Sequence, residues 1–178
     1  MSNKARLILL AAVAAGLAWL WWWGGRDQQV AEQRTFRATL LSTDTAALRS
    51  FTILPAPVEH LPALHFQRDS SGWTVASDSS VFRAFQRPMN ELLAKLAHIR
   101  PVSVAGSGKD IRERYRLVDS TATTMELPGA SGGTLRVGAS TGGANTATAM
   151  MLEGDTNVYL VPGLFHEVTG MSFIDWIP

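Results

Sequence analysis

An uninterrupted apolar run near the start constrains this chain more than any other feature. Leu7 to Trp23 reads LILLAAVAAGLAWLWWW, seventeen residues without a charge. As a helix it would be roughly 26–28 Å long with Gly24 and Gly25 included, close to the ~30 Å of a hydrocarbon core. Lys4 and Arg6 precede it, and Arg26 and Asp27 cancel after it. The positive-inside rule therefore predicts a cytoplasmic N-terminus and a domain on the other side. Trp19, Trp21, Trp22 and Trp23 gather at the far end. Indole rings favour the headgroup level, where the ring is buried and the N–H stays wet, so these four are the candidate membrane-interface residues. They could also pack on a partner's transmembrane helix. A cleaved signal peptide would share the charged start and apolar centre. It would need small residues where this chain has consecutive tryptophans, so the expectation is an uncleaved anchor.

The remaining ~150 residues suit one ordinary domain. The expected layout is a cytoplasmic tail over 1–6, an anchor over 7–25, a juxtamembrane stalk over 26–50 and a domain over 51–178. Phe51–Leu54 reads as a strand. Ala63–Gln67 and Trp73–Ala76 flank the polar turn Arg68-Asp-Ser-Ser-Gly72, which is a hairpin signal. Val81, Phe82, Phe85, Met89, Leu92, Leu93, Leu96 and Ile99 recur at three- and four-residue steps and predict the main amphipathic helix. Pro88 inside that pattern predicts a kink, or a leading turn with the helix running from about Arg87 to His98. Val102 and Val104 suggest a brief strand, and Lys109–Tyr115 a helical turn. Residues 124–127, 134–138, 148–152 and 157–161 are strand candidates separated by Gly-rich or polar loops. The predicted class is α+β: a single N-terminal transmembrane helix, then one small mixed domain with antiparallel strands and one main amphipathic helix.

The order of short motifs is Gly72-Trp73-x-Val75, the Leu92-Leu93…Leu96 helix, Tyr115-Arg-Leu117, Leu135-Arg-Val-Gly138 and Asn157-Val-Tyr-Leu-Val161. It resembles the bacterial domain-of-unknown-function 4340 family over about residues 36–161. The family pattern has Tyr-Gly-Leu where this chain has Tyr115-Arg116-Leu117. The resemblance implies an N-terminal anchor and an extracytoplasmic α/β domain, in some members encoded beside gliding-type ABC transporter components. It brings no catalytic residues, and it implies placement at the bacterial inner membrane with the domain periplasmic.

Residues patterned for catalysis or ligation are sparse. No cysteine is present, which excludes disulfides and thiolate sites. A net charge of +1 gives no global field for nucleic acid. In Ala105-Gly-Ser-Gly-Lys109-Asp110 the residue after the lysine is acidic where a phosphate loop needs a hydroxyl, so no nucleotide is expected. His60, His65, His98 and His166 lack metal-site spacing, and His166-Glu167 are merely adjacent. Arg112, Arg114 and Arg116 would spread over different helix faces. They remain a candidate headgroup-contacting or partner-contacting surface. Phe173, Ile174 and Trp176 form an apolar tail that must dock on its own domain or on a partner.

The expectation is therefore a non-enzymatic accessory subunit without cofactor or metal. It would sit on a lipid bilayer and dock on integral-membrane subunits of a transport, respiratory or photosynthetic complex. The alternative is a ligand-binding auxiliary module of an ABC-type exporter, which predicts a concave pocket on the β-rich third.

Overall fold

Polar turns at short intervals leave the chain little choice but to double back on itself, and the computed structural model shows the outcome. It describes Trp19 and residues 37–78, 80–129, 133–142, 146–163 and 165–178. The chain divides into two units, Met1–Phe36 and Arg37–Pro178. In the first, Trp19 alone is described; it is helical and exposed.

In the second unit, β1 (Leu41–Ser42) and β2 (Ser50–Leu54) are followed by β3 (Leu64–Asp69), β4 (Gly72–Ser77) and β5 (Ser80–Arg83). Then come α1 (Gln86–Ala97), β6 (His98–Ile99), β7 (Ser103–Ser107) and α2 (Lys109–Arg114). A second run of strands follows: β8 (Thr123–Glu126), β9 (Thr134–Ser140), β10 (Ala147–Leu152) and β11 (Asn157–Pro162). The chain closes with α3 (His166–Thr169) and a 3₁₀ turn at Phe173–Trp176.

Nine strands form one sheet in the order β5-β4-β3-β2-β8-β9-β10-β11-β7. Every neighbouring pair is antiparallel. Two meanders, β2–β5 and β8–β11, thus abut through their first strands. β1 and β6 make a separate two-stranded ribbon beside α1.

The inner face carries the main core. Phe51 stacks on Phe66 at 4.6 Å, Trp73 tilts against Phe51 at 5.4 Å, and Trp176 meets Phe66 edge-on at 4.8 Å. α1 lays Met89, Leu92 and Leu96 on this face. A second cluster on the outer face joins Leu117 to Ala149, Met151 and Val158, with Ile111 and Tyr115 packed against it. β10 lies between the two clusters, so all six of its residues are buried and its sequence does not alternate. Buried Thr148 is fully bonded: it donates to the Gly163 carbonyl at 2.7 Å and accepts the Phe165 N–H at 3.0 Å.

Gly138 marks the closest approach between layers. Between Val137 and Ser140 the register with β10 shifts, as in a β-bulge, and Ala139 N–H donates to the Tyr115 carbonyl at 2.8 Å. A Cβ on Gly138 would lie 2.2 Å from that oxygen. Arg116, next in the chain after Tyr115, sits in the left-handed region at φ 56°. That is the position where the family pattern has glycine, which adopts this conformation without steric cost.

Three expectations are corrected. The class is not α+β: the fold is mostly antiparallel β, with α1 as its one long helix among the described residues. A single N-terminal transmembrane helix is not supported. The 7–25 segment lies outside the described residues apart from Trp19, and among the described residues no helix is long and apolar enough to cross a membrane. The stalk expected over 26–50 does not reach residue 50: Leu40, Leu41 and Leu48 are buried, and Leu40 N–H donates to the Ile99 carbonyl at 2.8 Å. Of the two arrangements expected around Pro88, the leading segment followed by a helix is the one found: the helix runs Gln86–Ala97 against about Arg87–His98, and the leading residues 80–83 are strand β5 rather than a turn. Proline at 88 can sit in a first helical turn. A helix extended further upstream would set its ring against the Ala84 carbonyl.

Candidate functional site

β5 closes one edge of the large sheet. Among the described residues it pairs with β4 alone, and all four of its residues are exposed. The register sets Phe82 opposite buried Val75, hence on the inner face, and Val81 opposite Ala76 on the outer face. Val81 is 65% exposed and Phe82 48%. The Phe82 ring meets Phe173 edge-on at 5.9 Å, and neighbouring Ile174 is 78% exposed. Edge strands are usually guarded by charge, proline or a bulge. Here Arg83 reaches back across β4 to the β3–β4 turn, bonding Ser71 and pairing with Asp69 at 3.8 Å. Among the described residues the edge therefore presents two apolar side chains and the outward backbone groups of a four-residue strand.

The tail residues separate in the 3₁₀ turn. Three residues per turn place Phe173 and Trp176 on one side and Ile174 on another. Trp176 is wholly buried in the core and Phe173 packs against it. Of the three candidate partner contacts, Trp176 is thus a core residue and Ile174 faces solvent. Ser172 and Asp175 fix the turn: Ser172 N–H and O–H both donate to the Asp175 carboxylate, at 2.8 and 2.7 Å. The pattern Ser172-x-x-Asp175 is a capping-box signal visible in the sequence itself. Among the candidate membrane-interface residues, Trp19 is exposed and Trp21, Trp22 and Trp23 lie outside the described residues.

A cleft of about 680 Å³ opens between α1 and the β3–β4 hairpin, lined by Arg68, Trp73, Arg83, Phe85, Met89 and Leu93 among others. A second, of about 440 Å³, lies on the outer face between α2 and the β10–β11 turn. Its charges cancel one another. Arg136 pairs with Asp119 and, at 4.0 Å, with Glu153. Asp155 pairs with Arg37 at 3.5 Å and accepts the Tyr159 O–H at 3.1 Å. Burial pushes the Tyr159 phenol above its usual value of 10.0. In the β3–β4 turn, the Ser71 hydroxyl and N–H donate to Asp69 at 2.6 and 2.7 Å and hold that carboxyl below 3.8.

The family described as "Domain of unknown function (DUF4340)" has a sequence model that matches residues 73–178. The chain belongs to this family. The matched region starts within β4 and runs through the tail, so it contains β5, α1, the outer-face cluster and Ile174. β2 and β3 lie upstream of it. No curated protein and no solved structure matches the chain.

The histidines stand apart. His65 shares a hydrogen bond with Thr52 at 3.2 Å and His98 with Ser42 at 3.4 Å, while His60 is an exposed left-handed turn residue. Among the described residues no three His, Asp or Glu side chains gather to hold a metal ion. The Arg112–Arg116 run is dispersed. Arg112 lines the outer-face cleft, Arg114 is exposed, and Arg116 lies beyond the helix.

Proposed function

We propose that this chain is a non-enzymatic accessory subunit that docks on a larger integral-membrane complex through the β5 edge. The observation that carries this reading is an unguarded edge strand, with Val81 and Phe82 exposed, continuous with Phe173 and Ile174. Such an edge accepts an extended segment by strand addition. Backbone bonds supply affinity, and Phe82 and Val81 read alternate side chains of the incoming strand. The charges around the outer-face cleft pair with one another, which favours docking over chemistry there. The apolar run Leu7–Trp23 and the cations before it support a location at the bacterial inner membrane, with the domain on the periplasmic side.

Purification of the native protein in mild detergent tests the reading. The unsubstituted chain should bring down a defined membrane subunit, and the pair Phe82→Lys and Ile174→Lys should lose it while circular dichroism stays unchanged. A monodisperse monomer from the unsubstituted chain, or retention of the subunit by the double variant, would overturn the proposal.

A further inference from the structure

The register of β3 puts Leu64, Phe66 and Arg68 on the inner face, and Arg68 lies directly across from Trp73. A guanidinium is thereby placed on the apolar side of the sheet, at the wall of the 680 Å³ cleft. It is half-buried and reaches the Thr45 and Ala46 carbonyls at 3.4 and 3.2 Å. No carboxylate pairs with it among the described residues. Arginine carries five donors, so these carbonyls leave much of its capacity for an anion. Arg83 lines the same cleft, and no acidic side chain does. Trp73 stands beside Arg68 on the sheet, and Phe85, Met89 and Leu93 line the α1 side of the cleft. The volume falls within the roughly 300–1,000 Å³ typical of ligand sites, and the lining is mixed, with Thr45, Ser71, Gln86 and Asn90 beside the apolar residues.

We propose that this cleft binds one molecule of a monoanionic amphiphile, with its acidic head on Arg68 and its apolar body against exposed Phe85 and half-buried Leu93. The site goes beyond docking at the β5 edge and does not depend on it. A cation held on an apolar face without a counter-ion matches an acid carried on a hydrocarbon chain. A neutral chain would leave Arg68 unanswered, and a bare anion would leave Phe85 and Leu93 wet.

Photolabelling of the full-length chain in neutral detergent tests this. The probe is dodecanoate carrying a diazirine on its chain, and the comparison probe is the matching dodecanol. Labelled peptides are mapped by mass spectrometry, with labelling of the Leu7–Trp23 segment as internal reference. Dodecanoate should label the peptide containing Met89 and Leu93. Labelling there should fall roughly tenfold for dodecanol and for Arg68→Gln, the effect of one charge-assisted hydrogen bond. Asn90→Trp, which fills the cleft and keeps both arginines, should abolish it. Equal labelling by both probes, labelling unchanged in either variant, or labelling confined to the Leu7–Trp23 segment would each overturn the proposal. Phe82→Lys should leave the labelling unaltered, so failure of this site and failure of the docking edge are read separately.

Discussion

Truncating Trp176 separates a core tail from a contact tail. The indole is fully buried, edge-on to Phe66, in the cluster that also holds Phe51 and Trp73. A tryptophan buries ~150–250 Å². At ~25 cal/mol per Å² that is roughly 4–6 kcal/mol, an upper bound because unfolded chains already hide some apolar surface. Measured Trp→Ala losses of about 3–5 kcal/mol agree, and Trp176→Ala should fall in that range. The indole N–H is buried with no acceptor among the described residues. Trp176→Phe therefore removes a desolvated donor along with some volume, and should lose less than half as much. Ile174→Ala, at a residue 78% exposed, should stay within about 0.5 kcal/mol of the parent. Urea unfolding of the three variants, followed by far-ultraviolet circular dichroism with m held common, reads all of this. A loss below about 1 kcal/mol for Trp176→Ala, or one as large for Ile174→Ala, would refute the division of the tail into a buried and a presented side.

Three further outcomes follow from particular contacts. Gly138→Ala should cost about 2–4 kcal/mol, because its methyl group meets the Tyr115 carbonyl and Leu117. Gly142→Ala, with open space around it, should cost under about 0.5 kcal/mol in the same unfolding assay. Arg116→Gly should stabilise by about 0.5–1 kcal/mol by relieving the left-handed backbone, read as a raised melting temperature. Tyr159 keeps its proton more tightly folded than unfolded. Its stabilising contribution should be complete below pH 10 and be lost as pH rises through the higher folded value. Ultraviolet titration of the phenols should show one midpoint above 10, absent in Tyr159→Phe.

Much of the sheet was readable because its turns are. Asp69-Ser-Ser-Gly72 and Glu153-Gly-Asp-Thr156 bound their strands, and β4 alternates buried and half-buried residues as a half-buried strand should. α1 was legible from Met89, Leu92 and Leu96. Val81 and Phe82 fit the same helical spacing by accident, and only the proline at 88 argued against including them. The two-residue ribbon of β1 with β6 is too short to leave a period, so Leu40, Leu41 and Leu48 read as stalk. Strand order is set by contacts between distant segments, β2 with β8 and β7 with β11, which no local pattern encodes. The same holds for the candidate sites. An apolar tail announced that it must dock, but the turn geometry that buries Trp176 and presents Ile174 depends on the Ser172–Asp175 bonds. The charge of Arg68 was visible, yet its place on the inner face came from the strand register.

The proposed docking places a partner's strand on the β5 edge of the sheet. Photocrosslinking in intact cells, with benzoyl-phenylalanine placed in turn at Val81, Ile174, Val58 and Val102, tests it most directly. All four are exposed apolar positions, and the first two belong to the proposed interface. The account predicts one discrete membrane-protein adduct from Val81 and Ile174, lost when Phe82 is changed to Lys, and none from Val58 or Val102. Adducts of equal yield from all four positions, or none from Val81 and Ile174, would contradict it.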